Sequence, residues 1–243
     1  MPTPAAVLAA MLASDPGRPR LTCYDDAPGP THGERIELSA KVLANWVSKA
    51  GNMLQDDLDG APATTVGLDL PAHWRAFYWA LAAWSVGATV VVGNGADTCD
   101  VVVTTNHQTA GQVAENAGLP VLVSLPMLSA ANLDAPRDVV DEARELPSHG
   151  DAFAAYEDPN PDDPALVVED DALSFRDLSF RDVVVAQLDW GPSPRVRVPD
   201  DLHRALRAAL SAWAADGSVV LVRQPDGDQS RRLAPENITV DVS

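Results

Sequence analysis

Lysine is almost missing from this chain. Only Lys41 and Lys49 occur, so arginine carries nearly all the positive charge, and 17 basic residues face 35 acidic ones. A net charge of −18 would repel nucleic acid and anionic membrane surfaces, which excludes both as partners. Cysteine is equally scarce. Cys23 and Cys99 stand far apart without C-x-x-C spacing, so no zinc site is expected, a disulfide is not assigned, and both are read as buried or free thiols of a reducing, cytoplasmic compartment. No apolar run approaches the roughly 18 residues of a membrane span. Residues 2–14 are Ala-rich but lack a basic leader. They predict an amphipathic first helix with Val7, Leu8, Met11 and Leu12 inward, rather than a signal peptide.

Several chemical signatures are lacking too. There is no G-x-S-x-G elbow and no G-x-G-x-x-G. Gly93-Asn94-Gly95 follows a strand, but Ala96, Asp97 and the next strand leave no helix start for a phosphate. The acidic pairs Asp56-Asp57, Glu157-Asp158, Asp162-Asp163 and Asp200-Asp201 lack the spaced ladder of a calcium loop and are read as solvated surface. No catalytic, cofactor-binding or metal-ligating residue is assigned.

What is present centres on residues 66–93. A short apolar run (Val66, Leu68, Leu70) breaks at Pro71. Apolar residues then recur at helical spacing (Trp74, Phe77, Tyr78, Leu81, Trp84), and after Gly87 the chain resumes as Thr89-Val90-Val91-Val92. Strand, helix and strand in that order predict a β-α-β unit with parallel strands. Similar residues return about 120 positions later. Leu188-Asp189-Trp190 answers to Leu68-Asp69-Leu70, Trp213 to Trp84, and Gly217 to Gly87.

The remaining chain alternates in the same sense, with strands at 20–24, 34–38, 100–104, 119–124 and 165–168, and helices at 39–54 and 107–116. Short helices are expected near 139–146 and 152–156. Residues 182–188, 202–215 and 218–222 should form the second β-α-β unit. The predicted fold class is α/β, with two similar subdomains whose doubly wound sheets are mostly parallel. Residues 1–135 would form the first subdomain, 136–163 a linker with short helices, and 164–243 a second, shorter subdomain.

Four residues are candidates for a cleft. Asp69 and Asp189 follow leucine at the ends of the two equivalent strands, where α/β folds bind ligands, although capping and solvation also explain them. His73 lies just beyond the first of these ends. Trp79 is the one aromatic of its helix predicted to lie off the core face, which invites a pocket or an interface.

In this order the chain resembles the N-terminal region of adenylate-forming (AMP-binding) enzymes, which include acyl-CoA synthetases and peptide-synthetase adenylation domains. More narrowly it resembles a short actinobacterial family related to that region. Arg35-Ile36-Glu37-Leu38-Ser39 and the helix after it look like the opening segment, and Leu81 to Val92, with Gly87-Ala88, looks like the L-x-x-G-A-x-x-V-P segment. Asp100 to Thr104 occupies the following strand, and Pro161 to Val167 looks like the strand before the nucleotide loop.

That resemblance implies a Ser/Thr/Gly-rich loop next, because close approach to ATP phosphates needs glycine and a cation. The sequence instead reads Glu169-Asp170-Asp171-Ala172-Leu173-Ser174-Phe175-Arg176. The adenine- and ribose-binding motifs and the domain with the family's catalytic lysine are not matched, and Lys41 and Lys49 are read as solvated. The expected function is that of a degenerate relative acting as a binding or scaffold protein, for a protein partner or a small acyl- or nucleotide-like ligand. The alternative is one part of an acyl-adenylating enzyme completed by another chain.

Overall fold

The computed structural model describes residues 2–132, 134–136, 138–170 and 173–243, with backbone only for 169, 170 and 173–176. The acidic segment starting at Glu169 therefore lies, in its side chains and wholly at Asp171, outside the described residues. The fold is α/β, with helices layered between and around two sheets.

The first sheet takes its strands from both ends of the chain. Its order is β12 (Val240–Asp241), β10 (Arg195–Val198), β11 (Ser218–Arg223), β1 (Pro19–Asp25) and β2 (Arg35–Ser39). The second sheet runs β7 (Val140–Asp141), β6 (Leu119–Leu122), β5 (Val101–Thr104), β3 (Thr65–Asp69), β4 (Thr89–Gly93), β8 (Pro164–Asp170) and β9 (Leu173–Ser179). Among the described residues only β2 and β9 run antiparallel to their neighbours. Between the sheets lie α1 (Pro4–Ser14), α2 (Ala40–Asn52), α3 (Trp74–Ser85) and α6 (Leu202–Ala214), which contact one another and the inner sheet faces. On the far side of the second sheet, α4 (His107–Glu115) packs on β5 and β6. Two single-turn helices complete the set, α5 (Glu142–Glu145) and α7 (Ser230–Leu233).

The central β3-α3-β4 unit forms as expected, with β3 and β4 parallel and Thr65 opposite Thr89. Pro71 falls before α3, and His73 caps it. Gly67 interrupts the apolar run of β3 for a steric reason. A Cβ there would sit 1.8 Å from the Ala96 carbonyl oxygen of the turn that crosses the strand.

Placement in the middle layer changes the reading of α3. Every residue from Trp74 to Trp84 is buried, because sheets and helices cover the helix on all sides and no face is left for solvent. Trp79 is fully buried, so its expected off-face position is corrected.

The second unit is real but shifted. Leu188–Trp190 is a 3₁₀ turn rather than a strand end, and Leu188 is 95% exposed. The strand is β10, where Val196 and Val198 turn inward while Arg195 and Arg197 turn outward. The tryptophans do correspond. Trp84 Nε1 donates to the carbonyl of Ala165 on the strand beside β4 (2.7 Å), and Trp213 Nε1 donates to that of Arg20 on the strand beside β11 (2.9 Å). Three residues after each tryptophan the backbone turns left-handed, at Gly87 (φ +85°) and at Asp216 (φ 56°). The next amide then closes back five residues in each case, Ala88 onto Ala83 and Gly217 onto Ala212. The partner of Gly87 is thus Asp216, and the match to Gly217 is out by one. Asp216 uses its side chain there, binding buried Arg20 at 2.6 Å and Arg18 at 3.1 Å.

Residues 152–156 do not form the expected helix. They run as an extended strap whose polar groups bond to side chains of α2 and the π-helical turn after it. Asn52 Nδ2 donates to Gly150 and Ala152 carbonyls (both 3.0 Å), Gln55 Nε2 to that of Ala154 (3.2 Å), and the Tyr156 amide to Gln55 Oε1 (2.9 Å). Those partners replace the helical hydrogen bonds. Lys49 is likewise tied down, donating to Pro147 and His149 carbonyls and pairing with Asp151, so it is not simply solvated.

Candidate functional site

The parallel strands of both sheets deliver polar side chains at their carboxyl ends. β1 ends in Asp25 and β11 in Arg223, and the neighbouring registers place them opposite one another. Asp25 is 1% exposed. It accepts from Arg223 Nη1 at 2.8 Å and from the Ala27 amide at 2.9 Å. His73 Nε2 stands 4.0 Å from the same carboxylate, while His73 Nδ1 accepts from the Arg75 amide at the start of α3.

Beside this pair opens a cleft of about 450 Å³, within the size range of small-molecule sites. One wall is the β1–β2 loop with Pro28, Pro30 and Thr31. The other comes from the ends of β5 and β6, with Thr105, His107 and the run from Val123 to Pro126 continuing through Leu128 to Ala130. Arg223 supplies a positive group to a lining otherwise dominated by apolar and hydroxyl groups. Leu128 is 87% exposed and Met127 50%, so this wall presents apolar surface to the entrance.

Arg75 fixes that wall from beneath. Its Nη2 donates to the Pro126 carbonyl (2.8 Å) and to Ser129 Oγ (3.0 Å), and its Nε to the Leu125 carbonyl (3.3 Å). Nη1 meets Glu142 Oε2 at 3.0 Å, and the guanidinium lies 4.4 Å from the Trp74 ring centre. The second oxygen of Glu142 accepts from Trp79 Nε1 (3.0 Å) and from the Tyr78 hydroxyl. Burial raises the Glu142 pKa above the ordinary carboxylate value, while Arg75 and the two donors oppose the rise. Each of those neighbours offers a donor, so the network is built around the carboxylate form.

His73 is held neutral. Burial, reinforced by the Arg75 charge, lowers its pKa to about 3, with Asp25 opposing and Arg223 adding to the fall. A depressed value means that the unfolded chain, with an ordinary 6.5, takes up the proton first. Stability from neutral His73 is therefore complete above pH 6.5 and is lost as pH falls toward about 3. His73→Asn keeps a capping side chain and removes the titration. It should flatten the decline of Tm between pH 6.5 and 4.5, and an unaltered decline in calorimetry would place the titrating group elsewhere.

The four residues singled out from sequence do not converge. Asp69 is exposed at the end of β3, accepts from Thr104 Oγ1 at 2.6 Å, and neighbours the cleft through Thr105. His73 lies under the cleft as a buried cap. Trp79 anchors Glu142 and faces no opening. Asp189 is exposed in the turn before β10, at the opposite end of a strand from the one expected.

Sequence reasoning missed Asp25, Arg223, Arg75 and Glu142. Three of them carried a signal: a charge directly ending an apolar strand at Asp25 and Arg223, and a lone arginine inside an aromatic helix at Arg75. Glu142 carried none, because its partners lie more than sixty residues away.

Among the described residues no cluster of His, Cys, Asp and Glu could hold a metal. No described helix is long and apolar enough to cross a membrane. Neither Cys23 nor Cys99 is in a disulfide, and burial pushes the Cys23 thiol up to about 12, leaving it unreactive.

No family model matches the chain. A "TIGR03089 family protein" of Mycobacterium tuberculosis is 36% identical over 246 residues, covering 96% of this chain and 95% of its own length. Among solved structures, acetoacetyl-CoA synthetase from Streptomyces lividans superposes with a TM-score of 0.71 at 16% identity, over 91% of this chain and 38% of the synthetase. A Mycobacterium tuberculosis fatty acyl CoA synthetase gives 0.67 at 14%, over 97% and 48%. The N-terminal domain of FACL13 from the same organism gives 0.70 at 14%, over 98% and 62%. At these identities the likeness establishes the fold, that of the N-terminal domain of adenylate-forming enzymes. The chain spans less than two thirds of each of these three structures.

Proposed function

Since this chain belongs to the TIGR03089 family and is built on the N-terminal fold of adenylate-forming enzymes, we propose that it is a cytoplasmic binding protein. It takes a small acyl-type carboxylate in the cleft beside Asp25 and Arg223 and does not activate that carboxylate. The observation that carries this reading is the cleft itself, a trough of about 450 Å³ of mixed apolar and polar lining that includes a guanidinium, at the carboxyl ends of parallel strands. Asp25 orients Arg223 through Nη1, which leaves Nη2 as the donor offered to a carboxylate.

Adenylation asks for more. Charge growing on the α-phosphate must be met by magnesium, amide donors and a lysine. Residues 169–176, from the end of β8 onward, carry three carboxylates and no glycine. Lys49 is committed to the 147–151 loop.

Thermal shift with octanoate, phenylacetate, AMP, ATP and CoA tests the proposal. A ligand of the native state at a hundred times its Kd adds about 2.7 kcal/mol of stability. The carboxylates should raise Tm in the natural chain and fail to do so in Arg223→Gln. Pyrophosphate exchange by the purified chain would overturn the reading. The size of the solved enzymes favours a second reading, a part that a separate chain completes. Exchange that appears only when a second purified chain is added would establish it.

A further inference from the structure

A second pocket, of about 240 Å³, lies against the outer side of α6. Arg204 and Arg207, one turn apart on that helix, line it together with Gln187 and Trp190 from the segment before β10, and Val185, Pro199, Ala208 and Val242 add apolar surface. Neither guanidinium makes an ion pair or a side-chain hydrogen bond among the described residues, although the chain holds 35 carboxylates. Arg207 Nε is shut off from solvent without a partner. Arg20, Arg197, Arg223 and Arg232 share that feature, but each anchors another nitrogen on a carboxylate or carbonyl, and Arg207 anchors none. A guanidinium nitrogen removed from water and left unbonded is costly, and an oxyanion is the group that relieves it.

From this arrangement we propose that the pocket binds an oxyanion, carboxylate or phosphate, carried on a small flat apolar body. The paired guanidiniums present planar forks to the oxygens, and the half-buried Trp190 indole with the two valines receives the ring. The volume falls below the roughly 300–1,000 Å³ of drug-sized sites, so the body is about one ring in size. Asp189, exposed in the same turn as Trp190, and Asp201, whose carboxylate accepts from the Arg204 amide at 3.0 Å, are nearby negative charges that oppose the anion. This site is separate from the cleft beside Arg223 and does not rest on the function proposed for that cleft.

Isothermal titration at low salt with benzoate, phenyl phosphate and inorganic phosphate tests it. At least one aromatic anion should bind saturably, and the carboxylate and phosphate arms identify the preferred headgroup. Arg207→Gln and Arg204→Gln should each weaken that binding by about tenfold or more, while Asp189→Asn strengthens it and added salt weakens it. Arg231→Gln removes the same charge elsewhere and should leave the affinity unchanged. Absence of saturable binding by either aromatic anion, or equal binding in the Arg204→Gln/Arg207→Gln double variant, would overturn the proposal. Inorganic phosphate binding as tightly as phenyl phosphate would refute the apolar part of the site.

Discussion

Replacing Trp79 by alanine is expected to destabilise the protein by about 3–5 kcal/mol, as much as Trp84→Ala. Both rings are at most 1% exposed. Emptying either site leaves a void among side chains that cannot collapse, because the sheets on both sides of α3 hold the helix in place. Each change also takes a donor from a buried acceptor: the Glu142 carboxylate for Trp79 and the Ala165 carbonyl for Trp84. Phenylalanine at either position restores most of the volume but not the donor, so it should recover only part of the loss. Tyr156→Ala serves as the exposed comparison, with a ring 81% accessible, and should cost less than about 1 kcal/mol. Chemical denaturation with constant m-values decides the matter. A Trp79→Ala loss as small as that of Tyr156→Ala would mean that the helix has a solvent face after all.

Glu142→Gln should cost a similar amount, about 3–5 kcal/mol, although it removes almost no volume. It leaves the Arg75 guanidinium, 3% exposed, without its counter-charge in a dry site. The amide nitrogen must also face a donor, either Arg75 or the Tyr78–Trp79 pair. Arg75→Leu alone should be equally damaging, because it strands the carboxylate and frees the carbonyls of Leu125 and Pro126. The double variant Arg75→Leu/Glu142→Leu should be clearly less destabilised than the sum, since an apolar pair needs no compensation. Additivity within about 0.5 kcal/mol would show that the two residues act independently. The single Arg75 variant should also lose whatever ligand stabilisation the cleft provides, because that side chain holds the 125–129 wall.

The contrast between these helices shows what could be read in advance. Local patterns were enough for α2, α3 and α6, for the parallel pairing of β3 with β4, and for the equivalence of Trp84 and Trp213. Strands and helices differ in apolar period, and caps such as Ser39 and Asp201 accept hydrogen bonds from amides within their own turn. The absence of a Gly-rich phosphate loop was equally a matter of residue types. The missed strand β9 reads Leu173, Phe175, then Asp177 and Leu178, an alternation too short and broken to stand out without its partner β8.

Tertiary structure alone decided the rest. Whether Trp79 faces solvent depends on how many layers cover α3, and periodicity measures only one face at a time. Residues 152–156 stay extended because side chains of α2 and the turn after it, about a hundred positions earlier, take their hydrogen bonds. The cleft joins Arg223 to Asp25 across 198 positions, and Glu142 finds Arg75 across 67. Sequence determined most of the strands and helices and the residue types at their ends. Packing determined which charges meet, since Coulomb and hydrogen-bond energies depend on distance in space and not along the chain.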